Sequence, residues 1–174
     1  MLVVVSDTHG TEDHRLRGRT LAAVREAEVV VHAGDFLAEP VLDAFEDVAA
    51  ELVAVYGNND DDAIRDRLPA DRVFEYAGVR IALTHGHGTR RDPTARSLFG
   101  RERDAALVVS GHSHRPGFDD AGPVALLNPG SHAEPRGYRP AHAELTPADR
   151  GLEGSIYTPD GDVLETVTVR VGGN

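Results

Sequence analysis

Leu2-Val3-Val4-Val5-Ser6-Asp7-Thr8-His9-Gly10 opens on an apolar, mostly β-branched run and turns at once into small and polar residues. A short apolar run bounded by turn residues predicts a buried strand. The same pattern recurs along the chain. Val29 to Val31 leads into His32-Ala33-Gly34-Asp35, Leu52 to Tyr56 into Gly57-Asn58-Asn59-Asp60, and Val79 to Thr84 into His85-Gly86-His87. Leu107 to Val109 leads into Ser110-Gly111-His112-Ser113-His114, and Val124 to Leu127 into Asn128-Pro129-Gly130-Ser131.

Helical spacing fills the intervals. Leu16, Leu21 and Val24 recur loosely, and after Pro40 the residues Val41, Leu42, Phe45, Val48 and Ala49 form an apolar stripe. Asp60 to Leu68 and Pro93 to Arg103 predict two shorter helices. The order β-α-β-α-β predicts an α/β fold with a largely parallel sheet and crossover helices. Two hairpins are expected as well. One joins Val73 to Tyr76 with Val79 to Leu83 through Ala77-Gly78; the other joins Gly154 to Thr158 with Val163 to Val171 through Pro159-Asp160-Gly161-Asp162. Gly and Pro concentrate from Gly111 to Gly137, which predicts loops. No linker, repeat or low-complexity segment interrupts residues 1–174, so one domain is expected.

Composition narrows the chemistry. The chain has 174 residues, 29 acidic and 18 basic, for a net charge of −11, and every basic residue is Arg. Without Lys there is no Schiff-base chemistry and no P-loop. Without Cys there is no thiol nucleophile, disulfide or thiolate-bound metal. The acidic balance disfavours bulk nucleic-acid binding. No apolar run approaches the ~20 residues that span a bilayer, and the apolar start at Leu2 leaves no room for the basic start of a signal peptide. The expectation is a cytoplasmic protein without membrane attachment. The missing Lys fits either a salt-rich cytoplasm or GC-rich coding.

Ligands of open α/β sheets bind beyond the carboxyl ends of the strands. Asp7, His9, Asp35, Asn58, His85, His112 and His114 all fall at such ends. Taken singly, each has a plain structural reading as a helix cap, a turn residue or a surface histidine. Taken together, they converge on one sheet edge if the parallel order holds. Carboxylate, amide and imidazole without thiolate suit Mn²⁺, Ni²⁺, Fe²⁺ or Zn²⁺. This ligand set exceeds one tetrahedral ion and suffices for two ions about 3.5–4 Å apart, the arrangement of phosphatases and nucleases.

The ordered set Asp-x-His, Gly-Asp, Gly-Asn-x-Asp, His-Gly-His and Gly-His-x-His, running from residue 2 to about residue 132, resembles the calcineurin-like metallophosphoesterase superfamily. The Ser-Asp-Thr-His-Gly start and the Asn-Pro-Gly-Ser ending resemble its small YfcE/MJ0936-type phosphodiesterase branch, which Vps29 shares. The resemblance implies a four-layer αββα sandwich of two mixed β-sheets with a dinuclear site. Asp7, His9 and His114 would bind one metal, Asn58, His85 and His112 the other, and Asp35 both. The two divalent ions would be Mn²⁺ by preference, with Ni²⁺, Fe²⁺ or Zn²⁺ as alternatives. The implied activity is hydrolysis of a small phosphodiester, or a phosphomonoester, by in-line attack of a hydroxide held between them. The relatives also leave a homo-oligomer open. The alternative is a weak or inactive metal-site scaffold for protein binding, as in Vps29.

One position departs from the family. Many members read Gly-Asn-His, where that His protonates the leaving group or binds phosphate; here the residue is Asn59. An amide can donate a hydrogen bond to phosphate but is no general acid at neutral pH, which makes an aryl phosphate a safer substrate. His87 is a neighbouring substitute for phosphate contact or acid. His32 is expected to be buried within a strand, whereas His14, His132 and His142 are expected in loops or at the surface. Arg90, Arg91, Arg96, Arg101 and Arg103 form a basic run that is either a solvated helix face or a phosphate-recruiting patch. Asp60-Asp61-Asp62 is expected to be solvated. A serine hydrolase is excluded because Gly111-His112-Ser113-His114-Arg115 lacks the closing Gly of a nucleophile elbow. A zincin is excluded because no His-Glu-x-x-His is present.

Overall fold

A computed structural model describes residues 1–88 and 92–171. The chain order is β1 (Leu2–Val5), α1 (Gly18–Glu26), β2 (Val29–His32), α2 (Glu39–Val48), β3 (Leu52–Ala54), α3 (Asp62–Arg67), β4 (Asp71–Tyr76), β5 (Val79–Thr84) and α4 (Pro93–Arg101). It continues with β6 (Leu107–Val109), β7 (Gly117–Asp119), β8 (Ala125–Asn128), β9 (His142–Ala148), β10 (Gly151–Tyr157) and β11 (Val163–Arg170).

The strands divide between two sheets, ordered β11-β10-β9-β1-β2-β3 and β4-β5-β6-β8-β7. Within the first, β1, β2 and β3 are parallel and β9 runs antiparallel to β1. Within the second, β5, β6 and β8 are parallel, flanked by antiparallel β4 and β7. The strand ends therefore do not share one sheet edge, as the β-α-β order implied. They belong to two sheets whose parallel strands both deliver polar loops to the site. A repeated β-α-β pattern fits one sheet or two equally well; the break falls between β3 and β4, which are edge strands of different sheets.

Strand alternation builds the layers. Leu2, Val4 and Val31 join Ile81, Leu83, Leu107 and Leu127 between the sheets. Val3, Val5 and Val30 face the other way and pack with Val24, Leu42, Phe45 and Ile64 from α1, α2 and α3. Ala82 and Val108 pack with Phe99 of α4. The result is helix, sheet, sheet, helix, the expected αββα sandwich. Each fully buried Leu, Ile or Phe contributes about 1.5–3 kcal/mol relative to exposure.

Local chemistry sets the element ends. Asp61 caps α3 by accepting from the Ile64 N–H at 2.9 Å, and Asp92 caps α4 by accepting from the Ala95 N–H at 2.8 Å. The predicted Asp60 helix start therefore moves to Asp62, and the Arg103 end moves back to Arg101. Both expected hairpins form; Ala77 and Gly78 take the left-handed φ values of 49° and 78° that a tight turn requires. The strand expected over Val124 to Leu127 forms as β8, and the loops expected from Gly111 to Gly137 also contain the short strand β7.

Candidate metal centre

The loops after β1 and β2 run side by side beyond the sheet. The N–H of Asp7 donates to the Gly34 carbonyl at 3.0 Å, that of His9 to Asp35 at 3.1 Å and that of Gly10 to Phe36 at 2.9 Å. Asp7, His9 and Asp35 hold left-handed φ values of 54°, 47° and 61°, and His112 and His114 values of 68° and 57°. For residues with a Cβ this conformation costs about 1–2 kcal/mol each, and such strain gathers where side-chain direction matters more than stability.

The two carboxylates are oriented oxygen by oxygen. Asp7 Oδ2 accepts from the Ser6 hydroxyl at 2.6 Å and the His112 N–H at 3.0 Å. Its Oδ1 lies 3.3 Å from His114 Nε2 and 3.9 Å from His9 Nε2. Asp35 Oδ1 accepts the Asn59 N–H at 2.8 Å, and Oδ2 accepts the Asn59 side-chain amide at 2.7 Å. The same Oδ2 faces His9 Nε2 at 3.4 Å and His85 Nε2 at 3.3 Å. A Cβ on Gly57 would lie 2.1 Å from Asp35 Oδ1, and one on Gly111 would lie 1.9 Å from Ser6 Oγ. Both glycines are therefore required for the carboxylates to sit where they do.

The imidazoles are aimed by their outer nitrogens. His85 Nδ1–H donates to the Ala33 carbonyl at 2.7 Å, and His114 Nδ1–H donates to the Glu134 carbonyl. Each Nε2 is thereby turned inward, the usual device for a metal-binding histidine. Asn58 Oδ1 lies 3.2 Å from His85 Nε2. The His112 ring stands 5.2 Å and the His87 ring 5.5 Å from the His85 ring, centroid to centroid.

Asp7 Oδ1, His9 Nε2 and His114 Nε2 are buried without a hydrogen-bond partner. Such atoms are costly unless something satisfies them. Asp7, His9 and His114 offer donor atoms within 4.8 Å of one another, as do Asp7, Asp35 and His85. A hard or borderline divalent cation fits both sets. Asp7 belongs to both, an overlap the sequence motifs did not imply.

Charge follows the same geometry. Burial opposes a charge on His9, but the Asp35 and Asp7 carboxylates overcome it and raise its pKa to about 9. Burial likewise opposes charge on His85, and Asp35 again raises it. Burial favours a neutral Asp35, yet His85, His9 and the Asn59 amide hold its carboxyl well below the usual carboxylate range. The centre thus draws positive charge inward.

Several residues support the centre from positions not assigned to it on the sequence alone. Asp60 was expected in solvent; it is 5 % exposed and accepts the N–H groups of Asp35, Leu37 and Gly57 at 3.0, 2.8 and 2.7 Å. It ties the Asp35 loop to the Asn58 loop. Ser131 Oγ donates to the Asp7 carbonyl at 2.7 Å. His32 is buried as expected and bonds Thr8 Oγ1 at 2.8 Å. His132 lies in a loop, as expected, but is buried there; His142, expected in a loop or at the surface, is buried in a strand. His142 lies in β9 between Thr20 at 3.0 Å and Glu144 at 2.8 Å, partners far away or unsuspected in the linear order. Arg90 and Arg91 lie outside the described residues. Arg103 lies over the Phe99 ring at 3.9 Å and 3.8 Å from Asp71, so it packs against the protein rather than joining a recruiting patch.

Residues 1–149 match the calcineurin-like phosphoesterase superfamily domain. A probable metallophosphoesterase of Methanothermobacter thermautotrophicus is 30 % identical over 172 residues, 98 % of this chain and 99 % of the relative. Phosphodiesterase YfcE of Escherichia coli K12 is 31 % identical over 163 residues, 80 % of this chain and 83 % of the relative. A crystal structure of wild-type Vps29 complexed with Zn²⁺ from Entamoeba histolytica superposes with a TM-score of 0.78 at 24 % identity, covering 95 % of this chain and 97 % of that one. The last likeness concerns the fold.

Proposed function

The chain belongs to the calcineurin-like phosphoesterase superfamily, and on that premise we propose that it is a dinuclear metal-dependent phosphodiesterase acting as one domain over residues 1–174. The observation that carries this reading is the convergence of three buried, unpartnered donors, Asp7 Oδ1, His9 Nε2 and His114 Nε2. Asp7, His9 and His114 would hold one ion. Asn58, His85 and His112 would hold the second, with Asp35 shared. Asn59 donates to both Asp35 oxygens, and Oδ2 also faces His9 and His85, so Asp35 lies within reach of both ligand sets. Two divalent ions, Mn²⁺ by preference, would supply a nucleophile at neutral pH and neutralise charge developing on the phosphoryl oxygens.

The protein's own groups do the rest. Ser6 and the His112 N–H fix Asp7, Asn59 fixes Asp35, and main-chain carbonyls fix His85 and His114. Asn59 carries no dissociable proton at neutral pH, so it does not protonate a leaving oxygen. His87, half-buried beside His85, is assigned the phosphate contact. Activated esters are the favoured substrates, with phosphomonoesters as the secondary class. No described helix is long and apolar enough to cross a membrane. The proposed substrate is a small ester in the cytoplasm, and the net charge of −11 disfavours bulk nucleic-acid binding.

Hydrolysis of bis-p-nitrophenyl phosphate in Mn²⁺, abolished by EDTA and by Asp35→Ala, tests the proposal. A second reading rests on Asn59, whose amide is spent on Asp35 where a family member would present an acid: the centre then serves as a metal-bound scaffold for a protein partner. Two bound ions without turnover on any ester would select it.

A further inference from the structure

Arg15 lies outside every motif, yet its side chain spans the edge of the first ligand set. Nη1 donates to the Thr8 carbonyl at 2.9 Å and the His9 carbonyl at 3.0 Å. Nη2 donates to the Ala133 carbonyl at 3.3 Å. The next carbonyl, that of Glu134, accepts from His114 Nδ1. One guanidinium therefore connects the backbone that presents His9 to the backbone that aims His114. These two histidines, with Asp7, form the first ligand set, and their rings stand 5.0 Å apart.

The brace is itself held in place. Arg15 takes a left-handed φ of 52°, and its N–H donates to Asp13 Oδ1 at 2.8 Å, which closes the turn that carries it. Ser131 adds a second tie by donating to the Asp7 carbonyl and accepting the Glu134 N–H at 2.8 Å. Among the described residues, Arg15 is the side chain that links the His9 carbonyl to the 131–134 loop. A planar fork with five N–H donors can reach three carbonyls on two loops at once; a Lys ammonium cannot span them.

We propose that Arg15 is a positioning residue for the first metal subsite, setting the approach of His9 and His114 to Asp7 Oδ1. The inference rests on the dinuclear reading above. Outer partners of metal-binding histidines change affinity by roughly 10–100-fold when removed. Arg15 acts one step further out, through the main chain of both ligands.

The test is calorimetric titration of Mn²⁺ into metal-free wild type, Arg15→Ala, Arg15→Lys, His9→Ala and the Arg15→Ala/His9→Ala pair. Arg15→Ala should weaken one of two binding events by about 10-fold or more and leave the other within about twofold. His9→Ala should remove that same event, and adding Arg15→Ala to it should change the remaining event no further, as expected for residues acting as a unit. Arg15→Lys should weaken the same event in the same direction, and it decides the question if Arg15→Ala does not fold. Both events unchanged, or both weakened equally together with a lower metal-free melting temperature, would overturn the positioning role. Fewer than two events in the wild type would instead overturn the dinuclear reading, independently of any Arg15 variant.

Discussion

Asn59 holds both oxygens of Asp35, its backbone N–H on Oδ1 at 2.8 Å and its side-chain amide on Oδ2 at 2.7 Å. Where the family resemblance implies a His that protonates the leaving group or binds phosphate, Asn59 instead orients the Asp35 carboxylate. Asn59→His should therefore trade orientation for proton donation. General acids contribute about 10²–10⁴-fold when the leaving group is poor. The ratio of alkyl to aryl ester hydrolysis should rise at least about 10-fold in Asn59→His. An unchanged ratio would remove the missing acid as the determinant of leaving-group preference.

Gly57 touches the same carboxylate from the other side. A Cβ there would lie 2.1 Å from Asp35 Oδ1 and 2.5 Å from the Asp35 N–H nitrogen. Gly57→Ala should displace Asp35, weaken metal binding and cost about 2 kcal/mol or more in stability. Urea unfolding with a metal titration checks both effects, and wild-type values in either would show that the loop yields without moving Asp35.

Asn58 offers its side-chain oxygen beside His85 Nε2. Asn58→Ala should weaken the second Mn²⁺ by about 10-fold or more and the first much less. Equal loss of both would contradict its assignment to one subsite.

Two buried histidines outside the centre set an acid limit on stability. Burial lowers His132 from 6.5 to about 4 and holds His32 well below its ordinary value. The unfolded chain takes up protons that these folded groups refuse. Their contribution is complete above about pH 6.5 and is lost as pH falls toward 4. His9 and His85, raised by carboxylates, act in the opposite direction in metal-free protein and favour the fold at lower pH. Comparing wild type with His132→Asn cancels that common background. The stability difference should fall by up to about 3 kcal/mol between pH 7.5 and 4.5; a pH-independent difference would show that His132 protonates freely in the fold.

The sequence brings the candidate ligands into view because each follows a β-branched run at a strand end. Taken singly, Asp7, His9, Asp35, His85 and His114 read as caps, turns or surface residues; their order along the chain and the family resemblance single them out, and the fold gathers them. The division into two sheets was not legible from strand order. It falls between β3 and β4, edges of different sheets. Nor was β9 legible: its His-Ala-Glu-Leu-Thr-Pro-Ala sequence has little strand preference and is extended because β1 and β10 pair with it. Asp60 looked solvated within an acidic run, because the three N–H groups that bury it come from Asp35, Leu37 and Gly57. Arg15 was silent for the same reason: two of its acceptors are near in sequence, and the one that gives it meaning is Ala133.

The most direct measurement follows bound Mn²⁺ and ester hydrolysis together as metal-free protein is loaded. Two ions should bind per chain, with hydrolysis of bis-p-nitrophenyl phosphate emerging as the second is taken up and absent in Asp35→Ala. Two ions bound with no hydrolysis of any phosphate ester, or full hydrolysis with a single ion, would contradict the proposed function.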